Sequence, residues 1–269
     1  MKIFKNRARS SKGNFEKLRR WNVVLAFLHA LQGVLVVVLA KNVAFPINTS
    51  YLTLDTMTTG MNGSPSLVPA IHNVANINLA YLVAVFFFMS AIAHGLLASY
   101  LRDWYENNLT NHVNKMRWIE YSLSASTMMI GIALLSGIYD LSSLVMIFGL
   151  TAVMNLCGLI MELHNKKSKT VSWISFIVGC IAGILPWIVI GIYFWGTNVY
   201  GSGQVPSFVY WIYVSLFVFF NCFAINMYLQ YKRIGKWADY LYGERVYMIL
   251  SLVAKSLLAW QVFFGALRP

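Results

Sequence analysis

Seven long apolar runs alternate with polar stretches along the chain, at about residues 21–41, 76–101, 113–137, 141–163, 171–196, 207–230 and 243–266. Each is near the roughly 20 residues that a helix, rising about 1.5 Å per residue, needs to cross hydrocarbon. Lipid cannot satisfy backbone N–H and C=O groups, so runs of this length predict helices and exclude open strands. The pattern predicts an all-α membrane protein, a seven-transmembrane-helix bundle. Five connections are short. The sixth, at about 42–75, contains Pro46, Gly60, Gly63, Pro65 and Pro69 and is expected to be partly structured. Residues 1–20 form a basic segment, and 21–269 form one membrane domain.

Composition agrees with this pattern. Of the 269 residues, 58% are hydrophobic and 11% charged, with a mean hydropathy of +0.61, too apolar for a soluble domain's surface. The basic start resembles that of a signal peptide, but the following run is too long for an h-region and no small-residue cleavage site follows, so it is expected to be a retained helix. Cys157, Cys180 and Cys222 all lie inside predicted spans and give no disulfide framework. They are expected to be packing residues.

The cations are distributed unevenly. With residues 1–20 on one side, that side holds 18 of the 21 Lys and Arg, whereas the other holds only Lys41 and Arg268. The positive-inside rule then places the N-terminus in the cytoplasm and the C-terminus outside the cell. Moving Arg117 into the third helix leaves the bias intact. The net charge of +12 is explained by membrane-flanking loops and anionic lipid heads, with no nucleic acid required. Asn48-Thr-Ser and Asn62-Gly-Ser in the long outer connection match glycosylation acceptors, a short and weakly specific motif.

Few ionisable groups remain inside the spans: His29, His94, Arg117, Glu120 and Lys255, with Glu162 and Glu244 near the inner ends. Each costs a few kcal/mol to insert and is a functional candidate. Lys255 lies about 12 residues from either end of its span, too deep to snorkel. Two accounts fit it: an ion pair with a buried carboxylate, or an imine to a carbonyl cofactor, since desolvation supplies the neutral amine that imine formation needs. Glu120, the only clearly intramembrane acid by sequence, serves either account.

Residues four apart share a helix face. Ser124 follows Glu120 by four and Ser251 precedes Lys255 by four, so each charged group has a hydroxyl one turn away. Arg117 stands three before Glu120. His29 and Gln32 share a face of the first helix, and His94 lies in the second. These histidines make either interhelical hydrogen bonds or a small hydrated cavity beside Lys255. No metal constellation, phosphate loop or nucleophile triad is present, and an enzyme in the usual sense is not expected.

The chain resembles the heliorhodopsins over nearly its whole length. The resemblance rests on Arg117-Trp-Ile-Glu-Tyr-Ser-Leu-Ser-Ala-Ser126, Tyr228-Leu-Gln-Tyr-Lys232, Gly235-Lys-Trp237, Gly243-Glu-Arg245, Leu250-Ser-Leu-Val-Ala-Lys-Ser256 and Ala259-Trp-Gln261. It implies all-trans-retinal as a protonated Schiff base on Lys255, Glu120 as counterion and Ser251 as neighbour. It also implies a polar cavity lined by His29, Gln32 and His94, to which Arg117 is added, and a cytoplasmic N-terminus. A ring pocket on the fifth and sixth helices is expected to use Trp187, which follows Pro186, with Phe217, Phe220 and Asn221. The resemblance implies a homodimer as well. Thr151-Ala-Val-Met-Asn155 in the fourth helix departs from the pattern of relatives and bears on pocket polarity.

Outward pumps place an acid eleven residues after the counterion, where this chain has Gly131, and nothing from Met128 to Leu135 is ionisable. The expectation is a light-sensing retinal photoreceptor that signals, with a cytoplasmic partner of unknown identity. The alternative is a light-driven proton transporter or channel, with His29, Gln32, His94 and Glu162 supplying part of a path.

Overall fold

The computed structural model describes residues 2–55, 66–166, 168, 170–201 and 205–269, with side chains from Gly13 onward. Its elements run α1 (Lys2–Leu39), β1 (Ala44–Leu54), β2 (Leu67–Asn78), α2 (Leu79–Ala98), α3 (Arg102–Thr110), α4 (Lys115–Leu135), α5 (Leu141–Asn165), α6 (Ile174–Tyr200), α7 (Ser207–Lys232) and α8 (Tyr240–Val262). Among the described residues seven helices are long and apolar enough to cross a membrane: α1 from Gly13, α2, α4, α5, α6, α7, and α8 extended to Leu267. They match the seven predicted runs.

Local chemistry sets the helix starts. The side chains of Asn78, Asn114, Asp140 and Asp239 accept from the first-turn N–H groups of Tyr81, Arg117, Ser143 and Leu241, filling donors that a helix start leaves orphaned. α7 stops at Arg233, which adopts the left-handed conformation at φ 54°. α1 runs without a break from the basic segment into the first span.

Two elements depart from expectation. The connection at 42–75 is an antiparallel hairpin, registered from Ala44↔Asn78 to Leu54↔Leu67 with a bulge at Ile47/Asn48. It takes residues 76–78 from the predicted second span, so the all-α reading describes the bundle but omits this appendage. Pro46 and Pro69 are tolerated because both strands of a two-stranded sheet are edges, where a missing N–H breaks little. Asn48 N donates to Tyr139 O at 2.8 Å, which ties the hairpin to the α4–α5 turn. Asn62 lies outside the described residues.

The second departure is α3, a nine-residue helix between two spans. Arg102 at its start donates to Glu16 of α1 at 2.5 Å and Glu106 at 2.7 Å.

α4 is the central helix: 78% of its most apolar stretch is buried, against 17% for α7. α1, α2, α4, α5 and α6 pack in chain order, and α8 closes against α7 and α1. Between α6 and α7, Trp187 makes edge contacts with Tyr213, Phe217 and Phe220 at 5.4–5.5 Å.

Candidate functional site

Lys255, 3% exposed on α8, lies deep in the bundle. Its Nζ donates to Ser251 Oγ at 2.8 Å and lies 3.3 Å from Glu120 Oε1 on α4. The four-residue spacing that predicted Ser251 thus delivers its hydroxyl to the amine. Glu120 also accepts from Ser90 Oγ of α2 at 2.5 Å, and fully buried Ser124 stands one turn along α4. The Tyr121 ring lies 5.2 Å from Nζ, fixed by its hydroxyl donating to Tyr247 O at 2.9 Å. Three helices therefore place a cation, a carboxylate and hydroxyls in one buried spot, where pairing offsets the cost of each buried charge.

Polar groups continue toward the end of the bundle where α4 begins. His94 Nδ1 lies 2.7 Å from Asn22 Oδ1, and the His29 ring stacks on His94 at 5.7 Å. Neither ring nitrogen of His29 has a protein partner, although the residue is fully buried. His94 thus makes an interhelical hydrogen bond between α2 and α1, whereas the buried His29 ring, with neither nitrogen paired, is the kind of group that ordered water satisfies. A cavity of about 30 Å³ lies among His94, Asn22, Tyr105, Asn114, Arg117 and Glu120. Burial and the Glu244 carboxylate push the Tyr105 phenol on α3 above its ordinary range, so it remains a neutral hydroxyl. Of the four residues expected to line a polar cavity, His94 and Arg117 line this one, and His29 and Gln32 do not; Gln32 faces α8 instead. It accepts from Trp260 Nε1 at 3.1 Å and ties α1 to α8.

Arg117 shares the cavity but turns its guanidinium away from Glu120, onto Glu162 of α5 and Glu244 of α8. Asn114 braces both acids, its N–H donating to Glu162 at 2.8 Å and its Nδ2 to Glu244 at 2.6 Å. Tyr240 OH donates to Glu162 at 3.3 Å. Beyond it a polar vestibule of about 580 Å³ opens between the helix ends, lined by His112, Asn165, Gln230 and Arg233 among others. Glu162 and Glu244, near the inner ends of their spans, are 2% and 1% exposed, so both acids are buried in the bundle as Glu120 is. Both stand near the ends of hydrophobic runs, where position along the chain does not distinguish a buried acid from a solvated one.

On its other side Lys255 faces apolar space. A chamber of about 40 Å³ is lined by Lys255, Ser251, Tyr121, Met128, Phe220 and Phe223 among others. It adjoins a second of about 130 Å³ that reaches Trp187 and Phe217. Met154, Asn155, Phe220 and Phe223 line both. At Gly183 of α6 a Cβ would stand 2.3 Å from Met154 Sδ, so the glycine admits Met154 to this wall. Trp187 is 4% exposed. Asn221 is exposed on α7, donates to Phe217 O at 2.8 Å, and reaches only the rim. Asn155 Nδ2 donates to Thr151 O at 2.9 Å, so the unusual fourth-helix sequence puts an amide in the chamber wall.

These residues fit retinal. An amine stands at one end of an apolar, aromatic-walled space, with a carboxylate beside it to balance a protonated imine. The site also contains Ser90, Asn22 and Asn114, which the sequence reading did not single out, and Tyr121, Met154 and Asn155, which it quoted within longer motifs without individual roles. Ser90 and His94, four apart on α2, carry a detectable signal, a polar pair on one face of an apolar run. Met154 looks like ordinary packing, and only tertiary structure brings it to the site.

The heliorhodopsin family profile matches residues 18–267. Among curated proteins, none matches in sequence. In fold, the chain is similar to the transmembrane domain of Salpingoeca rosetta rhodopsin phosphodiesterase, with a TM-score of 0.64 and 14% identity over 97% of this chain and 88% of that one. At that identity the likeness is one of fold. The family match spans all seven membrane helices from Leu18 of α1 to the end of the last, and the chain belongs to the heliorhodopsin family of retinal-binding membrane rhodopsins.

Proposed function

We propose that the protein is a light sensor in which Lys255 carries all-trans-retinal as a protonated Schiff base, Glu120 is the counterion, and signalling takes precedence over ion pumping. The observation that carries the chromophore reading is the 3.3 Å approach of Glu120 to Lys255 Nζ at the end of the apolar chambers. Retinal supplies a light-driven change of shape. Ser251 and Ser90 hold the two charges in register, and Trp187, Phe217 and Phe220 wall the far end, with Asn221 at the rim.

One-sided polarity supports sensing over pumping. His29, His94, Arg117 and Glu120 lie toward one face, whereas α4 from Met128 to Leu134 is buried and apolar. A proton released near Glu120 has polar neighbours on one side only, and net transport needs both. The charge bias places that polar side, with the N-terminus, in the cytoplasm, and the hairpin and C-terminus outside. Lys166, Lys232, Arg233 and Lys236 would then face a cytoplasmic signalling partner. The family resemblance adds a homodimer, with the basic segment 1–20 preceding one membrane domain, 21–269.

The second reading, a proton transporter or channel, is favoured by the run of polar groups from His94 to the vestibule at Glu162. Photocurrent under voltage clamp separates the two. The sensor reading expects a light-driven spectral change without steady current, and a reproducible current abolished by Glu120→Gln would overturn it.

A further inference from the structure

Trp118 stands between the chromophore chamber and the buried ion cluster. It is 6% exposed on α4 and lines the chamber that also holds Met154, Phe223 and Trp187. Its ring lies 4.5 Å from the Arg117 guanidinium and meets Tyr247 edge-on at 5.9 Å. The Tyr247 ring is itself 4.0 Å from that guanidinium, so Arg117 rests on two aromatic faces while it binds Glu162 and Glu244. Cation–π contacts of this kind gain strength when desolvated. A displacement of Trp118 therefore changes the support of Arg117 directly.

Gly158 of α5 supplies the room. A Cβ there would stand 2.4 Å from the Trp118 ring, so this position accepts the indole only as glycine. Glu162 follows Gly158 by four residues on the same helix face. Glu162 accepts from Tyr240, and Tyr240 stacks on His112 at 4.9 Å beside the vestibule. Packed groups thus run without interruption from the chamber wall to the helix ends.

We propose that Trp118 is a positioning residue that carries shape changes of the chromophore chamber to the Arg117–Glu162–Glu244 cluster, using the clearance at Gly158. The proposal rests on retinal occupying the chamber. In it, Trp118 exchanges no proton and touches no reacting atom. It acts by holding or releasing Arg117.

The test is light-minus-dark infrared spectroscopy of the retinal-loaded full chain, with carboxylate bands assigned through Glu162→Gln and Glu244→Gln. The wild type is expected to show bands from both acids. Trp118→Phe and Gly158→Ala alter the chamber wall and are expected to shift the visible band, so the readout is the ratio of the acid bands to the chromophore's own difference bands in the same sample, which is expected to fall several-fold. Trp118→Tyr, which keeps a larger polar ring near the guanidinium, is expected to restore part of the signal. A dark readout is independent of photochemistry: retinal loading should slow amide exchange at 111–114 and 233–240 in the wild type and fail to do so in Trp118→Phe. Should Gly158→Ala not fold, Trp118→Phe and the exchange measurement still decide. Acid bands that are absent from the wild type, or a ratio unchanged in the variants, would overturn the coupling, as would equal slowing of exchange. Failure to form any visible band would instead remove the chromophore reading and the coupling with it.

Discussion

Glu120 is held by donors from two helices, Ser90 Oγ at 2.5 Å from α2 and Lys255 Nζ at 3.3 Å from α8, so its charge is shared between them. Removing its charge should leave a protonated Schiff base less strongly localised. Glu120→Gln is expected to move the visible band to longer wavelength, and acid titration of the wild type should move it in the same direction as the carboxylate is protonated. A dark spectrum of each checks this. Ser90→Ala acts in the opposite sense: losing a hydrogen bond to a charged group, worth about 1.5–3 kcal/mol, concentrates the carboxylate charge on the cation and should shift the band to shorter wavelength. Lys255, Glu120 and Ser251 were legible in the sequence because a deep charge in a span is costly and four-residue spacing is simple geometry. Ser90 carried only the weaker signal of its spacing to His94, because a serine in a transmembrane helix most often bonds its own backbone, and the Oγ of this one also lies 3.1 Å from Phe86 O.

At the scale of elements, the ion cluster joins α4, α5 and α8 through one cation. Arg117→Gln leaves two buried carboxylates without their guanidinium, and breaking a buried pair in this way costs roughly 3–5 kcal/mol. Thermal bleaching of the loaded protein should occur at a clearly lower temperature. Adding Glu162→Gln and Glu244→Gln to Arg117→Gln should recover part of the loss, and no recovery would mean that the cluster's charges are not its structural content. Arg117 stands three residues before Glu120, which suggested one stripe with the counterion. A long flexible side chain can instead reach partners from other helices, and those partners lay at run ends. The seven spans were legible because lipid forces helices from long apolar runs. The hairpin was not, since two edge strands with Pro46 and Pro69 give a weak alternation, and α3 has only nine residues.

For the whole molecule, the arrangement is polar toward one face and apolar toward the other, with Lys255 at the boundary. An N-terminal tag should be shielded from outside reagents in intact cells, while a label placed near Tyr51 on the hairpin should react. The reverse pattern would invert the proposed orientation and with it the direction in which a signal leaves the bundle. Light sensing requires that the chamber beside Lys255 hold retinal.

The most direct measurement of that claim is the visible spectrum of the purified full chain after addition of all-trans-retinal. The account predicts a visible band in the wild type and none in Lys255→Ala, with the variant still folded by its helical circular dichroism. A wild type without the band, or a Lys255→Ala variant that keeps it, would contradict the account.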